Sequence, residues 1–335
     1  MQIGSMPSPN KLSILYSKHI DAETEQLLPV KTEHGWTLPL NLSYSALVNK
    51  VLSELPENLL PLVSNVIIAG SHGDSTAKEE LHKNINQGKT RTRPSQALQS
   101  LGVIDLSWLY PKLNSELTVF SVETACSSGI KALQLASIYG NTGATMIISA
   151  EVSTVEFIKH IFGSIGALSK ADIWVPPFYK DVSGIMLGDG AAVTIVSSKE
   201  YADQNNLPSE ATIESIGFQT IPTHPTRPSD PLQLQNLIYT TIQKSGIDMS
   251  NFSYWDAHAT ATPTGDAVEI ALHEAILPNV PIRSYKSKIG HALGASSLVE
   301  LVAAIKNFSD DTNKTFLKCS FGFGGQNGIV VVTVS

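Results

Sequence analysis

One order of apolar runs occurs twice in this chain, and it limits the fold more than any single motif does. Hydrophobic periodicity predicts strands over 12–16, 66–69 and 117–122, each followed by a helix, over 44–55, 76–85 and 127–139. Two apolar runs, 145–150 and 191–196, close this half around a long excursion. The order then returns, with strands over 212–218, 252–257 and 281–285, helices over 232–244, 266–276 and 295–307, and closing strands over 315–320 and 329–334. Each half reads βαβαβαββ, with the break near 200–210. Strands alternating with helices pair in parallel under helical layers, so an α/β fold is expected, with halves at 1–200 and 201–335. No residue-level repeat accompanies the element order, and an ordinary α/β fold whose halves match by accident is the alternative.

Open α/β sheets build their sites at the carboxyl ends of strands. Cys126 falls between the third strand and third helix of the first half, and His291 at the same place in the second. His258 follows the second strand of the second half. The duplication therefore brings three residues far apart in sequence toward one pocket.

Composition excludes several function classes. With 42% hydrophobic and 16% charged residues, the chain can bury a large core and is not a disordered segment. Its 23 basic and 30 acidic residues give a net charge of −7, which disfavours nucleic acid as a partner. Two cysteines in 335 residues do not make a disulfide framework, so a reducing cytoplasm is the expected setting. Residues 1–7 lack a basic stretch followed by an apolar run, so no signal peptide is expected, and no apolar run approaches the roughly 20 residues of a membrane span.

The turn Thr124-Ala125-Cys126-Ser127-Ser128-Gly129 is built of small residues between an apolar strand and a helix. It would hold the thiol at a helix start, where the dipole and free N–H groups favour thiolate. The other reading is a small buried core thiol. Cys319, inside a late strand, reads as core. His258-Ala259-Thr260-Ala261-Thr262-Pro263 places a histidine past a strand, followed by Thr260 and Thr262 facing one side of an extended loop. Lys286 precedes His291 by five positions, and the next helix carries Ser296, Ser297 and Glu300 on one face. No HxxxH or CxxC spacing occurs, so no metal site is expected. The run Phe321-Gly322-Phe323-Gly324-Gly325-Gln326-Asn327 opens no helix and is not a phosphate loop. It reads either as a hairpin turn that needs positive φ or as a source of free N–H groups beside a gating Phe323.

Taken together, these blocks resemble the β-ketoacyl synthases, condensing enzymes with the thiolase fold. The family's TACSSG block is intact at 124–129, its HGTGTPxGD block is matched at 258–266, its KxxxGHxxGA block at 286–295, and its GFGGxN loop at 322–327. Both glycines of HGTGT are alanines here, Ala259 and Ala261. The stretch Phe178-Tyr179-Lys180-Asp181-Val182-Ser183-Gly184 departs from the usual FDxxRDG pattern, and the nucleophile block arrives early.

The resemblance implies two similar halves packed as a five-layer α-β-α-β-α sandwich. It implies a β-ketoacyl-[acyl carrier protein] synthase, which condenses an acyl thioester on Cys126 with malonyl carrier by decarboxylation in fatty acid or polyketide biosynthesis. The catalytic residues would be Cys126, His258 and His291, with Lys286, Glu300, Thr260 and Thr262 in support and Phe323 with Gly324 at the oxyanion site and gate. No cofactor or metal is implied, because substrates ride on the phosphopantetheine of an acyl carrier protein. A homodimer, or a heterodimer with a second ketosynthase-like subunit, would form through the strand over 117–122. Lys83, Lys89, Arg91 and Arg93 offer a landing site for an acidic carrier, with Lys159 and Lys170 as alternatives. One rival reading is an acyltransferase that hands the acyl group to an alcohol, an amine or water. Another is a non-catalytic chain-length-setting partner.

Overall fold

The computed structural model describes residues 11–89, 91–101, 104–139, 143–308 and 314–335, so the leader reading of residues 1–7 lies outside the described residues. The first half runs β1 (Leu12–Ile20), β2 (Val30–Lys31), β3 (Trp36–Leu38), α1 (Tyr44–Leu52), β4 (Val63–Gly70), α2 (Ser75–Asn86), α3 (Pro94–Ser100) and β5 (Thr118–Glu123). It continues with α4 (Ser128–Tyr139), β6 (Ala144–Glu151), α5 (Glu156–Ser164), β7 (Leu187–Gly188), β8 (Gly190–Ser198) and α6 (Lys199–Gln204). The second half runs β9 (Ala211–Thr220), α7 (Pro231–Ser245), β10 (Phe252–Asp256), α8 (Pro263–Ile276), β11 (Ile282–Arg283), α9 (Lys286–Ile289), α10 (Ser296–Asn307), β12 (Thr315–Gly322) and β13 (Gln326–Val334).

Local signals explain where the helices begin. The Ser43 hydroxyl caps α1 by accepting from the Ala46 N–H, and the Asp74 carboxylate caps α2 by accepting from Ala77. Asp230 caps α7 with Pro231 at its first position, and Gly246 ends that helix in a left-handed conformation.

Ten strands form one sheet in the order β11-β10-β12-β13-β9-β1-β8-β6-β4-β5. Read outward from its centre, each half repeats one order: first strand, last, second-last, second, third. The halves join where β1 and β9 pair antiparallel, Leu12 opposite Ile213. Helix α4 packs on β4, β5, β6 and β8 of its own half and on β9 and β13 of the other, while α10 packs on β1, β8 and β12. These two helices are the central layer. Helix α1 covers the outer face of the first half, and α7 with α8 covers that of the second. The cores follow the layers. Ile130, Leu133, Leu298 and Leu301 belong to the central core, Leu47 and Val51 to the first outer core, and Leu234, Trp255 and Leu272 to the second. This is the five-layer sandwich expected from the resemblance.

Within the excursion between β6 and β8, the chain adds α5 and the short β7, which pairs with β3 in a small second sheet of order β2-β3-β7. The third strand of the second half, expected over 281–285, is only the two residues of β11. Lys286 turns the chain into α9 almost at once.

Candidate active site

The thiol sits at the tip of β5. Ala125, just before Cys126, has φ of 50°, a left-handed conformation that is costly for any residue with a side chain. The Ser128 hydroxyl holds this turn, accepting from the Thr124 N–H at 2.9 Å and lying within hydrogen-bond reach of the Ala125 and Gly70 carbonyls. From the other half, the Ser320 hydroxyl donates to the Cys126 carbonyl at 2.9 Å. Such strain persists because both halves fix the turn.

His291 reaches the thiol from the second half. Its Nε2 lies 3.2 Å from Cys126 Sγ, and its Nδ1 lies 2.7 Å from the Ser296 hydroxyl. Its N–H donates to the Met186 carbonyl and its carbonyl accepts from the Gly188 N–H, so the segment Met186–Gly188 holds its backbone on both sides. A Cβ on Gly188 would lie 2.0 Å from the Ile289 carbonyl oxygen, so only glycine permits this approach. The His258 ring stands edge-on to that of His291, with centroids 5.5 Å apart. The Glu269 carboxylate fixes the His258 backbone by accepting from the N–H groups of His258 and Ala259, each at 2.7 Å. One ligand atom each from Cys126, His258 and His291 lie within 4.8 Å of one another.

Behind the histidines lies a buried charge cluster. Lys286 Nζ is 2.7 Å from Glu300 Oε1, Lys318 Nζ is in close contact with Glu300 Oε2, and Lys318 Nζ is 3.2 Å from Asp256 Oδ2. Two cations and two anions balance. Burial would push the Glu300 carboxyl up, but Lys286 and Lys318 more than offset it and hold it below the usual range. Burial, then the charge of Lys286, keeps both imidazoles neutral, with His291 brought down to about 3 and His258 lowered as well.

The thiol and both imidazoles open onto a cavity of about 420 Å³. Thr260 and Thr262, their hydroxyls 3.2 Å apart, line one wall, but the loop between them is not extended as expected, since Ala261 has φ of 63°. Phe323 lines another and stacks on Phe162 with centroids 6.1 Å apart. Arg227, in the loop before α7, lines the cavity too, exposed and with no ion-pair partner among the described residues.

The geometry departs from expectation at four further points. Burial pushes the Cys126 thiol up to about 11, against the helix-start argument for thiolate; Lys286 and the Phe323 and Cys126 N–H groups offset only part of it. The partner of His291 Nδ1 is Ser296, whereas Lys286 and Glu300 pair with each other. The Gly324 N–H donates to the Pro225 carbonyl at 2.9 Å, so it is taken and cannot face a ligand; Gly324 and Gly325 serve as the positive-φ turn residues. Lys159 is buried against Glu156, which removes it as a landing site.

Sequence reasoning passed over Glu269, Asp256 and Lys318. A carboxylate one helical turn past Asp266 was the available signal for Glu269. Cys319 is fully buried in the outer core of the second half. Among the described residues, no helix is long and apolar enough to cross a membrane.

Comparison with known proteins agrees with this layout. Residues 37–202 match the family model of the beta-ketoacyl synthase N-terminal domain and residues 211–319 that of the C-terminal domain. The chain is 27% identical over 252 residues to 3-oxoacyl-[acyl-carrier-protein] synthase 2 of Vibrio cholerae, an alignment that covers 63% of this chain and 61% of that one. It is 26% identical over 307 residues to the chloroplastic 3-oxoacyl-[acyl-carrier-protein] synthase I of Hordeum vulgare, covering 78% and 65%. The chain thus spans roughly three fifths of the length of these relatives. Among solved structures, a beta-ketoacyl synthase from Burkholderia phymatum superposes with a TM-score of 0.82 at 16% identity, covering 97% of this chain and all of that one. The ishigamide ketosynthase/chain length factor superposes with a TM-score of 0.78 at 18% identity, covering 98% and 100%. By both domain models, and with the thiolase-like fold of those structures, the chain belongs to the beta-ketoacyl synthase family.

Proposed function

We propose that the chain is a β-ketoacyl-[acyl carrier protein] synthase that joins an acyl thioester on Cys126 to a malonyl unit by decarboxylative Claisen condensation. The observation that carries the reading is the approach of Cys126 Sγ and His291 Nε2 to 3.2 Å at the floor of a cavity that His258 shares. In the first step the acyl group passes from a carrier thioester to Cys126. The neutral His291 imidazole takes the thiol proton, which leaves with the carrier thiol, and the N–H groups of Cys126 and Phe323 steady the oxyanion. The Ser296 hydroxyl acts as donor or acceptor as the His291 tautomer changes.

In the second step a malonyl thioester enters, and His258 and His291 donate to its carbonyl oxygen. Carbon dioxide departs, the enolate carbon attacks the Cys126 thioester, and the carbon–sulfur bond breaks to release the Cys126 thiolate, which regains a proton from solvent. Lys286 and Glu300 keep the surroundings electrically neutral, and Thr260 and Thr262 line the path of the phosphopantetheine arm. Phe323 gates the acyl side. No metal or further cofactor enters the scheme, and the setting is cytoplasmic.

The partners follow from the surface. β5 is an edge strand with Thr118, Val119 and Ser121 exposed, flanked by Phe120 stacked on Tyr139, which suits pairing with a second copy or a ketosynthase-like subunit. Arg91 and Arg93 are exposed for an acidic carrier protein, and Arg227 stands at the cavity. The test is intact-mass measurement with a panel of acyl carriers and malonyl carrier. Acylation of the wild type, none in Cys126→Ala, and a lengthened product on the malonyl carrier are expected. Acylation that turns over to an alcohol, an amine or water without decarboxylation would replace this reading with an acyltransferase.

A further inference from the structure

We propose that Cys126, His258 and His291 form a binding site for a soft divalent transition metal, Zn²⁺ above all, which blocks the thiol while it is bound. No local ligand spacing announces the site, because its donors come from three separate segments, the ends of β5 and β10 and the loop after α9. In space they satisfy the requirements of such a site. The three ligand atoms lie within 4.8 Å of one another, and Sγ to His291 Nε2 is 3.2 Å. A tetrahedral zinc with bonds of about 2.3 Å to sulfur and about 2.0 Å to nitrogen holds its ligands about 3.5 Å apart. The 3.2 Å from Sγ to His291 Nε2 is close to that spacing, and the third donor lies no more than 4.8 Å from the other two.

Three further observations support the site. His258 Nδ1 is buried with no hydrogen-bond partner, so the ring is not tied down at that edge. The Ser296 hydroxyl at 2.7 Å from His291 Nδ1 can accept from Nδ1–H, which leaves the Nε2 lone pair free for a metal; this is the outer-sphere bond that metal-bound histidines use. Finally, the donors open onto the cavity of about 420 Å³, which gives the ion a way in and leaves a fourth position for water.

Binding replaces the S–H bond with an S–metal bond. The thiol proton is released to solvent, the ion sheds all but one of its waters, and no oxidation state changes. A thioester sulfur is a poor ligand, so an acylated Cys126 and a bound metal exclude each other; that clause rests on the function proposed above, whereas metal binding itself does not. The arrangement of one sulfur, two nitrogens and one water suits Zn²⁺ or Co²⁺ and not Mg²⁺ or Ca²⁺, which require oxygen ligands.

Titration of the full-length apoprotein with Co²⁺ tests this directly, because cobalt reports its ligands in its spectrum. One equivalent should give a sulfur-to-cobalt charge-transfer band in the near ultraviolet, together with intense visible bands of a tetrahedral ion. One proton should be released per ion, and Zn²⁺ should displace the cobalt. Both signals should vanish in Cys126→Ser. They should also vanish in wild-type protein alkylated once at Cys126, a control that needs no mutation and leaves the buried Cys319 untouched. A spectrum without the charge-transfer band, as from ions held on the surface group Glu33, His34 and Glu156, would overturn the proposal, as would a band that survives alkylation. If the band forms but the protein takes no acyl group from any carrier, the metal site stands and the enzymatic reading falls.

Discussion

Removing Lys318 should destabilise the protein more than any other single loss of charge. Lys318 is fully buried, with its ammonium against Glu300 and 3.2 Å from Asp256. With Lys286 present, the cluster holds two positive and two negative charges. Lys318→Met fills the same volume with an apolar chain and leaves one cation against two carboxylates. Breaking a buried pair from one side costs about 3–5 kcal/mol, a large part of the roughly 5–15 kcal/mol that holds a domain together. Lys318→Met combined with Asp256→Asn restores neutrality, since Lys286 and Glu300 still pair. The double variant should therefore recover about 2 kcal/mol or more relative to Lys318→Met.

The sign of the pH dependence follows from Asp256. Burial outweighs Lys318 and already raises its pKa, and without Lys318 it rises further. A carboxyl whose folded pKa exceeds its unfolded value of about 3.9 adds stability in full below that value, and the gain is lost as pH climbs through the folded pKa. The deficit of Lys318→Met should shrink from about pH 8 to about pH 5.5, a recovery that the double variant, which lacks the Asp256 carboxyl, should not show. Urea denaturation at both pH values, followed by tryptophan fluorescence, measures all three proteins. A deficit below about 1 kcal/mol, a deficit that grows on acidification, or a double variant as weak as the two single changes summed would refute the reasoning.

Three further outcomes are expected. Gly129→Ala would place a Cβ 2.8 Å from Leu298 and from the Ser297 hydroxyl, forcing α4 away from α10, and should cost about 1–3 kcal/mol as a fall in the thermal midpoint. Iodoacetamide should label Cys126 about tenfold faster per pH unit from roughly pH 7 to pH 10 with no plateau, since burial holds the thiol at about 11; a plateau near pH 8 would contradict that. Ser296→Ala should leave the buried His291 Nδ1 without its partner and cost about 1–3 kcal/mol as a fall in the thermal midpoint, with kcat reduced as well while circular dichroism shows the fold intact.

Much of the fold was legible because its main elements are local. Strand and helix periods read from a dozen residues at a time locate β4, α4, α7 and α10, and the repeated order brings Cys126 and His291 toward one pocket, although α9 stands between β11 and His291. What escaped is non-local. The second sheet depends on Thr37 meeting Leu187, and neither segment is long enough to show a period. Lys318 was invisible for a different reason. In a layered sandwich both faces of β12 are covered, so alternation does not separate inward from outward residues, and a lysine in such a strand carries no sign of its burial. Ser296 was noticed on the right helical face, but its pairing with His291 needed the 3₁₀ turn Leu293–Ala295 that folds the loop back on α10.

The pairing of β1 at the centre of the ten-stranded sheet sets an order of assembly. Both neighbours of β1, β8 and β9, lie far downstream, Leu12 pairing with Ser198 and with Ile213. At about 5–20 residues per second, a ribosome needs on the order of 10–40 s to make the partners after β1 has emerged. During that interval Leu12–Ile20 is an apolar strand with neither edge occupied, while β4, β5 and β6 can already pair with one another. Folding of the first half should therefore nucleate on β4–β5–β6 with α4, and β1 should dock last, so destabilising changes in β1 should speed unfolding far more than they slow folding.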